Sequence, residues 1–108
     1  MHVLNRENIL DATEGDLSIE ATLYQSFLKT SAEYMAQIQN AQAVEERRRG
    51  LHSLKGLALN MGAELLADLC KQAESGSFDA HQLESAYQKV CAEMQKIINS
   101  AGWPLKLQ

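Results

Sequence analysis

"LHSLKGLALNMGAELLADLC", residues 51–70, holds two helical patterns joined at one corner. Leu51, Leu54, Ala58 and Met61 recur at steps of three and four, which places them on one side of a helix. Gly62 follows, a residue able to take the left-handed conformation that ends a helix, so "NMGAE" reads as a corner rather than helix interior. Beyond it Leu65, Leu66, Leu69 and Cys70 restart the periodicity in a helix predicted over Ala63 to Glu74. Two amphipathic helices folded back at a glycine each need a partner for their apolar sides. The rest of the chain has to supply it.

Upstream, the first of these helices extends back to about Gln42, with Val44 assigned to its apolar side. Before it a long helix is predicted to end near Asn40, with Leu23, Phe27, Tyr34 and Ile38 at helical spacing, widened by Tyr24, Leu28 and Met35. Asp16 or Ser18 caps its start. A short helix from about Asn5 to Thr13 precedes it, with Asn5 as N-cap, Glu7 complementing the dipole and Gly15 as the stop. Downstream, "SGSFD" closes the fourth helix, and Asp79 with Gln82 three residues on resembles a capping box. Leu83, Tyr87, Val90, Met94 and Ile97 then alternate steps of four and three, the seam of a bundled helix. The tail "GWPLKLQ" reads as a terminator, with Trp103 folded back on the bundle or marking the cut end of a longer chain.

Strand-forming Val, Ile and Thr are sparse, and the one proline, Pro104, stands near the end. The expected fold is all-α: an up-and-down antiparallel four-helix bundle preceded by a short N-terminal helix, a single domain over residues 1–108. A chain of 108 residues builds one core, without room for a nucleotide-binding domain of its own. Its net charge of -4 argues against general affinity for nucleic acid or anionic membrane. No apolar run reaches the roughly 18 residues a membrane span needs, and no signal pattern opens the chain, so a cytoplasmic setting is expected. Cys70 and Cys91 are too few and too distant for a zinc site or a disulfide framework, and read as reduced core residues.

The one basic run, Arg47 to Arg49, leads into His52. At about 100° per residue His52 lies roughly 130° from the centre of the apolar stripe, so it should face solvent. Its neighbours one turn away are Arg48, Arg49, Lys55 and Gly56. Three are cations, which would favour a neutral, nucleophilic ring by like-charge repulsion and attract a dianionic phosphoryl group. Gly56 costs about 0.8–1.0 kcal/mol in a helix interior relative to alanine, and its lack of a side chain opens a path to the imidazole. Leu59, a turn further, supplies an exposed apolar contact on the same face.

"HSLKGLALNMGAELLADLCKQAE", residues 52–74, closely resembles the histidine-containing phosphotransfer (HPt) family in its His-x-x-Lys-Gly core, its Asn-x-Gly-Ala corner and the leucines after it. The likeness extends more loosely upstream through "ILDATEGD" and "LYQSFLKTSAEYMAQI". It implies that His52 accepts a phosphoryl group, usually on Nε2, that Lys55 steadies the phosphoryl oxygens, that Gly56 gives access and that Gly62 makes the corner. Ser53 would sit beside the ring. Arg48 and Arg49 rest on the helical geometry more than on the motif. The implied partners are receiver domains, which would hold both the phosphorylatable aspartate and the Mg²⁺, leaving this chain without a cofactor and without catalytic machinery for ATP.

Three alternatives bracket that reading. The phospho-accepting domain of chemotaxis-type histidine kinases uses the same bundle and motif but takes phosphate from an ATP-binding domain. A helical adaptor would bind through the Leu59 face with no chemistry. A dimerising kinase helix pair carries acidic and proline residues after its histidine, which "HSLKG" lacks. A monomer, and the C-terminal module of a hybrid sensor kinase at the cytosolic end of a membrane-anchored sensor, complete the expectation.

Overall fold

The computed structural model describes residues 1–102, and all its regular structure is helical. Five helices succeed one another: α1 (Glu7–Thr13), α2 (Leu17–Gln39), α3 (Val44–Met61), α4 (Glu64–Glu74) and α5 (Ala80–Ser100). Each of α2 to α5 packs on its neighbours in sequence, and α2 also packs on α5, so the four close into a bundle with α1 resting on α2. Short connections make consecutive helices antiparallel.

Local chemistry sets the boundaries. The Asp16 carboxylate accepts the Ser18 and Ile19 backbone N–H groups at 2.9 and 3.2 Å, and Asp79 does the same for His81 and Gln82 at 3.0 and 3.1 Å. Gln82 adds no reciprocal bond, so Asp79 is a plain N-cap and the box is half formed. The first helix starts two residues later than expected: Arg6 occupies the N-cap position, while the Asn5 side chain accepts the Glu7 N–H at 3.1 Å. The break before α2 takes two left-handed residues, Glu14 and Gly15, not the glycine alone.

Tyr24, Phe27, Leu51, Leu54, Leu66, Val90, Met94 and Ile98 fill the centre of the bundle. Val44 is a correction. It opens α3 and stands 61% exposed, because the first turn projects beyond the neighbouring helices. Leu23, Leu28, Tyr34, Leu65, Leu69, Tyr87 and Ile97 flank the core half-buried. Cys70 is buried and Cys91 half-buried, both as free thiols. Trp103 and Pro104 lie outside the described residues. Among those residues no helix is long and apolar enough to cross a membrane.

A glycine makes the corner between α3 and α4. Gly62 has φ +79°, and its N–H and that of Ala63 return to the Leu59 and Ala58 carbonyls, the expected helix stop. A side chain here would also run into the Asn5 carbonyl, since the N-terminal segment passes directly over the corner.

Candidate functional site

Because Leu51, Leu54 and Ala58 are drawn into the core, the opposite side of α3 is turned outward, and His52 with it. Its side chain is 73% exposed. One turn along, a side chain at Gly56 would meet no atom within 4 Å, so the space beside the imidazole is open. Leu59 is 61% exposed, again as the periodicity requires. Arg48, Arg49, His52 and Ser53 share an open depression of about 340 Å³. The structure thus brings together the residues singled out from the sequence.

It also adds two carboxylates that the cationic picture lacked. Glu74, at the end of α4, points one oxygen at His52 and the other at Lys55: Oε1 lies 3.4 Å from His52 Nδ1, and Oε2 accepts from Lys55 Nζ at 3.1 Å. Glu45 pairs with Arg48 at 3.2 Å and lines the same depression. Arg47 turns away to lie over the Phe78 ring, 4.4 Å from its centroid. Arg49 alone of the three arginines makes neither contact among the described residues. The surroundings of His52 therefore mix both signs, unlike the purely cationic neighbourhood expected from the helix face.

The geometry of Glu74 is informative. Its Oε1 is buried and has no hydrogen-bond partner, a state that costs about 1–3 kcal/mol in general. His52 Nδ1 lies 3.4 Å from it, a separation longer than a good hydrogen bond. An Nδ1–H tautomer of His52 would offer that oxygen the donor it lacks. The protonated Nδ1 then leaves the lone pair on Nε2, directed away from Glu74.

A signal for Glu74 was present in the sequence. His52 and Glu74 each lie eleven positions from Ala63, so a hairpin folded at that corner places them opposite one another. Periodicity within one helix does not report that pairing. Cys70, one turn before Glu74, is no competing nucleophile: burial first, and then the Glu74 charge, push its thiol up to about 12. No group of three or more His, Cys, Asp or Glu among the described residues is arranged to hold a metal ion.

An exposed imidazole on a rigid helix, with a lysine and a carboxylate beside it and no side chain blocking the approach, defines a histidine-presenting helical bundle. A scan against protein-family models matches residues 22–101 to the Hpt domain, and the chain belongs to that family. Its members are phosphocarriers that move phosphoryl groups on histidine in phosphorelays, working with receiver domains and catalysing nothing on their own. Searches of curated proteins and of solved structures find no match.

Proposed function

We propose that His52 is the phosphoryl carrier of this chain, receiving the group from the aspartyl phosphate of one receiver domain and delivering it to the aspartate of another. The observation that carries the reading is the exposed imidazole whose Nδ1 side is turned to Glu74. In the transfer Nε2 attacks phosphorus, the N–P bond forms, and the acyl O–P bond breaks with its electrons returning to the aspartate carboxylate. The ring becomes positive while Nδ1 keeps its proton, and the Glu74 carboxylate stabilises that charge. Lys55, half-buried and aligned by Glu74, supplies a cation to the arriving oxygens. Arg48, Arg49 and Ser53 border the site and add polar contacts to the receiver, while Gly56 and Leu59 provide clearance and an apolar foothold. Mg²⁺ belongs to the receiver in this scheme, and the bundle needs no cofactor.

The whole of residues 1–108 acts as one such unit, the cytoplasmic C-terminal module of a hybrid sensor kinase. The test mixes the protein with a receiver domain carrying labelled phosphate. Acid-labile, base-stable label should appear on the wild type and be absent from His52→Gln. The variant should differ in stability by no more than about 0.5 kcal/mol, since the site is exposed. Label surviving in that variant, or found on His2 or His81, would assign the carrier elsewhere; uptake only from an ATP-binding kinase domain would favour the chemotaxis-type arrangement.

A further inference from the structure

Next to the His52 face, α3 and α4 leave a groove of about 690 Å³. Lys55 and Leu59 line it from α3, Ala67 and Lys71 from α4, and Met1 joins from outside the bundle. Met1 is held there by a segment with no helical structure of its own. The His2 N–H donates to Glu64 Oε1 at 2.9 Å, and its Nδ1 lies 3.0 Å from the same oxygen. The Asn5 side-chain amide donates to Glu64 Oε2 at 2.9 Å. Backbone bonds complete the attachment, Asn5 N–H to the Gly62 carbonyl at 2.8 Å and Leu65 N–H to the His2 carbonyl at 3.0 Å. The second of these also satisfies one of the free N–H groups at the start of α4.

We infer that residues 1–5 form a strap that builds one wall of the receiver-docking surface, with Glu64 as its latch. The inference rests on the proposed role of His52, because it takes the receiver as the occupant. Leu59 lies seven residues from His52, about 10 Å along the helix. An interface of about 1,000 Å² in total covers about 500 Å² on each side, a patch of roughly 13 Å radius. A receiver whose aspartate meets His52 therefore reaches Leu59 and the groove behind it. Leu59, Ala67 and Met1 give that groove its apolar lining, while Lys55 and Lys71 are matched in number by Glu64 and Asp68. The fitting element is an apolar ridge of a receiver helix, not a strongly charged loop. Met1 and Leu59, at 77% and 61% exposure, have no cover within the described residues, and such a ridge supplies it.

Two measurements test this on the intact protein. Methionine methyl groups carrying ¹³C report on the strap during titration with the receiver domain that supplies phosphate to His52. The Met1 methyl resonance should shift with binding, while those of Met35 and Met94, sealed in the core, stay in place. An unmoved Met1 resonance at saturation overturns the inference. Second, Glu64→Ala should release the strap, seen as faster amide exchange at Leu65. It should raise the receiver concentration for half-maximal transfer about fivefold, the effect of losing part of a methionine's burial, with the rate at saturation retained. A released strap with unchanged half-saturation also overturns it. If the wild type takes no phosphate from any receiver, the role of His52 fails instead, and the two failures are distinct.

Discussion

Glu74 divides its two oxygens between His52 and Lys55, so one side chain touches both the proposed nucleophile and the cation beside it. Removing it frees the ring to turn and leaves the developing imidazolium without a counter-charge. Glu74→Ala should slow phosphoryl uptake about tenfold, equivalent to about 1.4 kcal/mol of transition-state stabilisation. Glu74→Gln keeps an acceptor but not the charge and should fall between the two. Uptake at the wild-type rate in both variants, measured by rapid quench at saturating receiver, would show that the contact is structural only. The role proposed for Gly56 is in approach instead of chemistry. Gly56→Gln has open space to occupy and favours the helix slightly, so the bundle should stay folded while uptake slows. Unchanged uptake would reduce Gly56 to a residue with no part in access.

Between elements, α1 and the segment before it are tied to the bundle by a buried charge. Arg6 grips Glu20 through two bonds of 2.7 Å, and Tyr24 donates its hydroxyl to the same carboxylate at 2.8 Å. Glu20 is only 1% exposed. The Arg6 hydrogen bonds hold its carboxyl below the ordinary range against the opposing effect of burial. A lowered folded value means the stabilisation is complete above the unfolded carboxylate's pKa, about 4.3, and disappears as pH falls through the folded value. Glu20→Gln should therefore flatten the acid limb of the stability profile. Arg6→Ala should cost about 3 kcal/mol at neutral pH, since it strands a buried carboxylate. Urea unfolding from pH 2 to 7 checks both, and an acid limb identical in Glu20→Gln and wild type would count against the role of this pair. The network was not legible in the sequence. Glu20 sits on the core side of α2, where a periodicity built from Leu23, Tyr24 and Phe27 gives a glutamate no place, and its partner is fourteen residues upstream. The caps at Asp16 and Asp79, the corner at Gly62 and the outward face of His52 were legible, because each depends on residues within one or two turns. Val44 was not, since its exposure depends on the reach of neighbouring helices; Glu74 was signalled only by lying as far beyond the corner as His52 lies before it, a pairing that periodicity within one helix does not report.

At the scale of the molecule, the question is whether the surface leaves an apolar seam for a second copy. The buried sides of α2, α3, α4 and α5 are consumed by one another. The large exposed apolar residues among those described are Met1, Leu10, Ile19, Val44 and Leu59. Val44 and Leu59 stand at opposite ends of α3, fifteen residues apart and so about 22 Å along the axis, too far to form one patch with each other. Leu10 and Ile19 belong to the α1–α2 region, and Met1 and Leu59 share the groove beside the proposed carrier, His52. A dimer built on that groove would cover the surface the receiver needs. The remaining surface mixes charges of both signs under a net -4, which discourages self-association. The protein should therefore behave as a monomer of 12.0 kDa, with a molar mass by light scattering that does not change with concentration. A stable dimer that still exchanges phosphate with a receiver would show that its contact lies away from the His52 face, on the Leu10 and Ile19 side. A dimer that blocks exchange would mean the groove pairs with itself, and the docking surface would then be available only after dissociation.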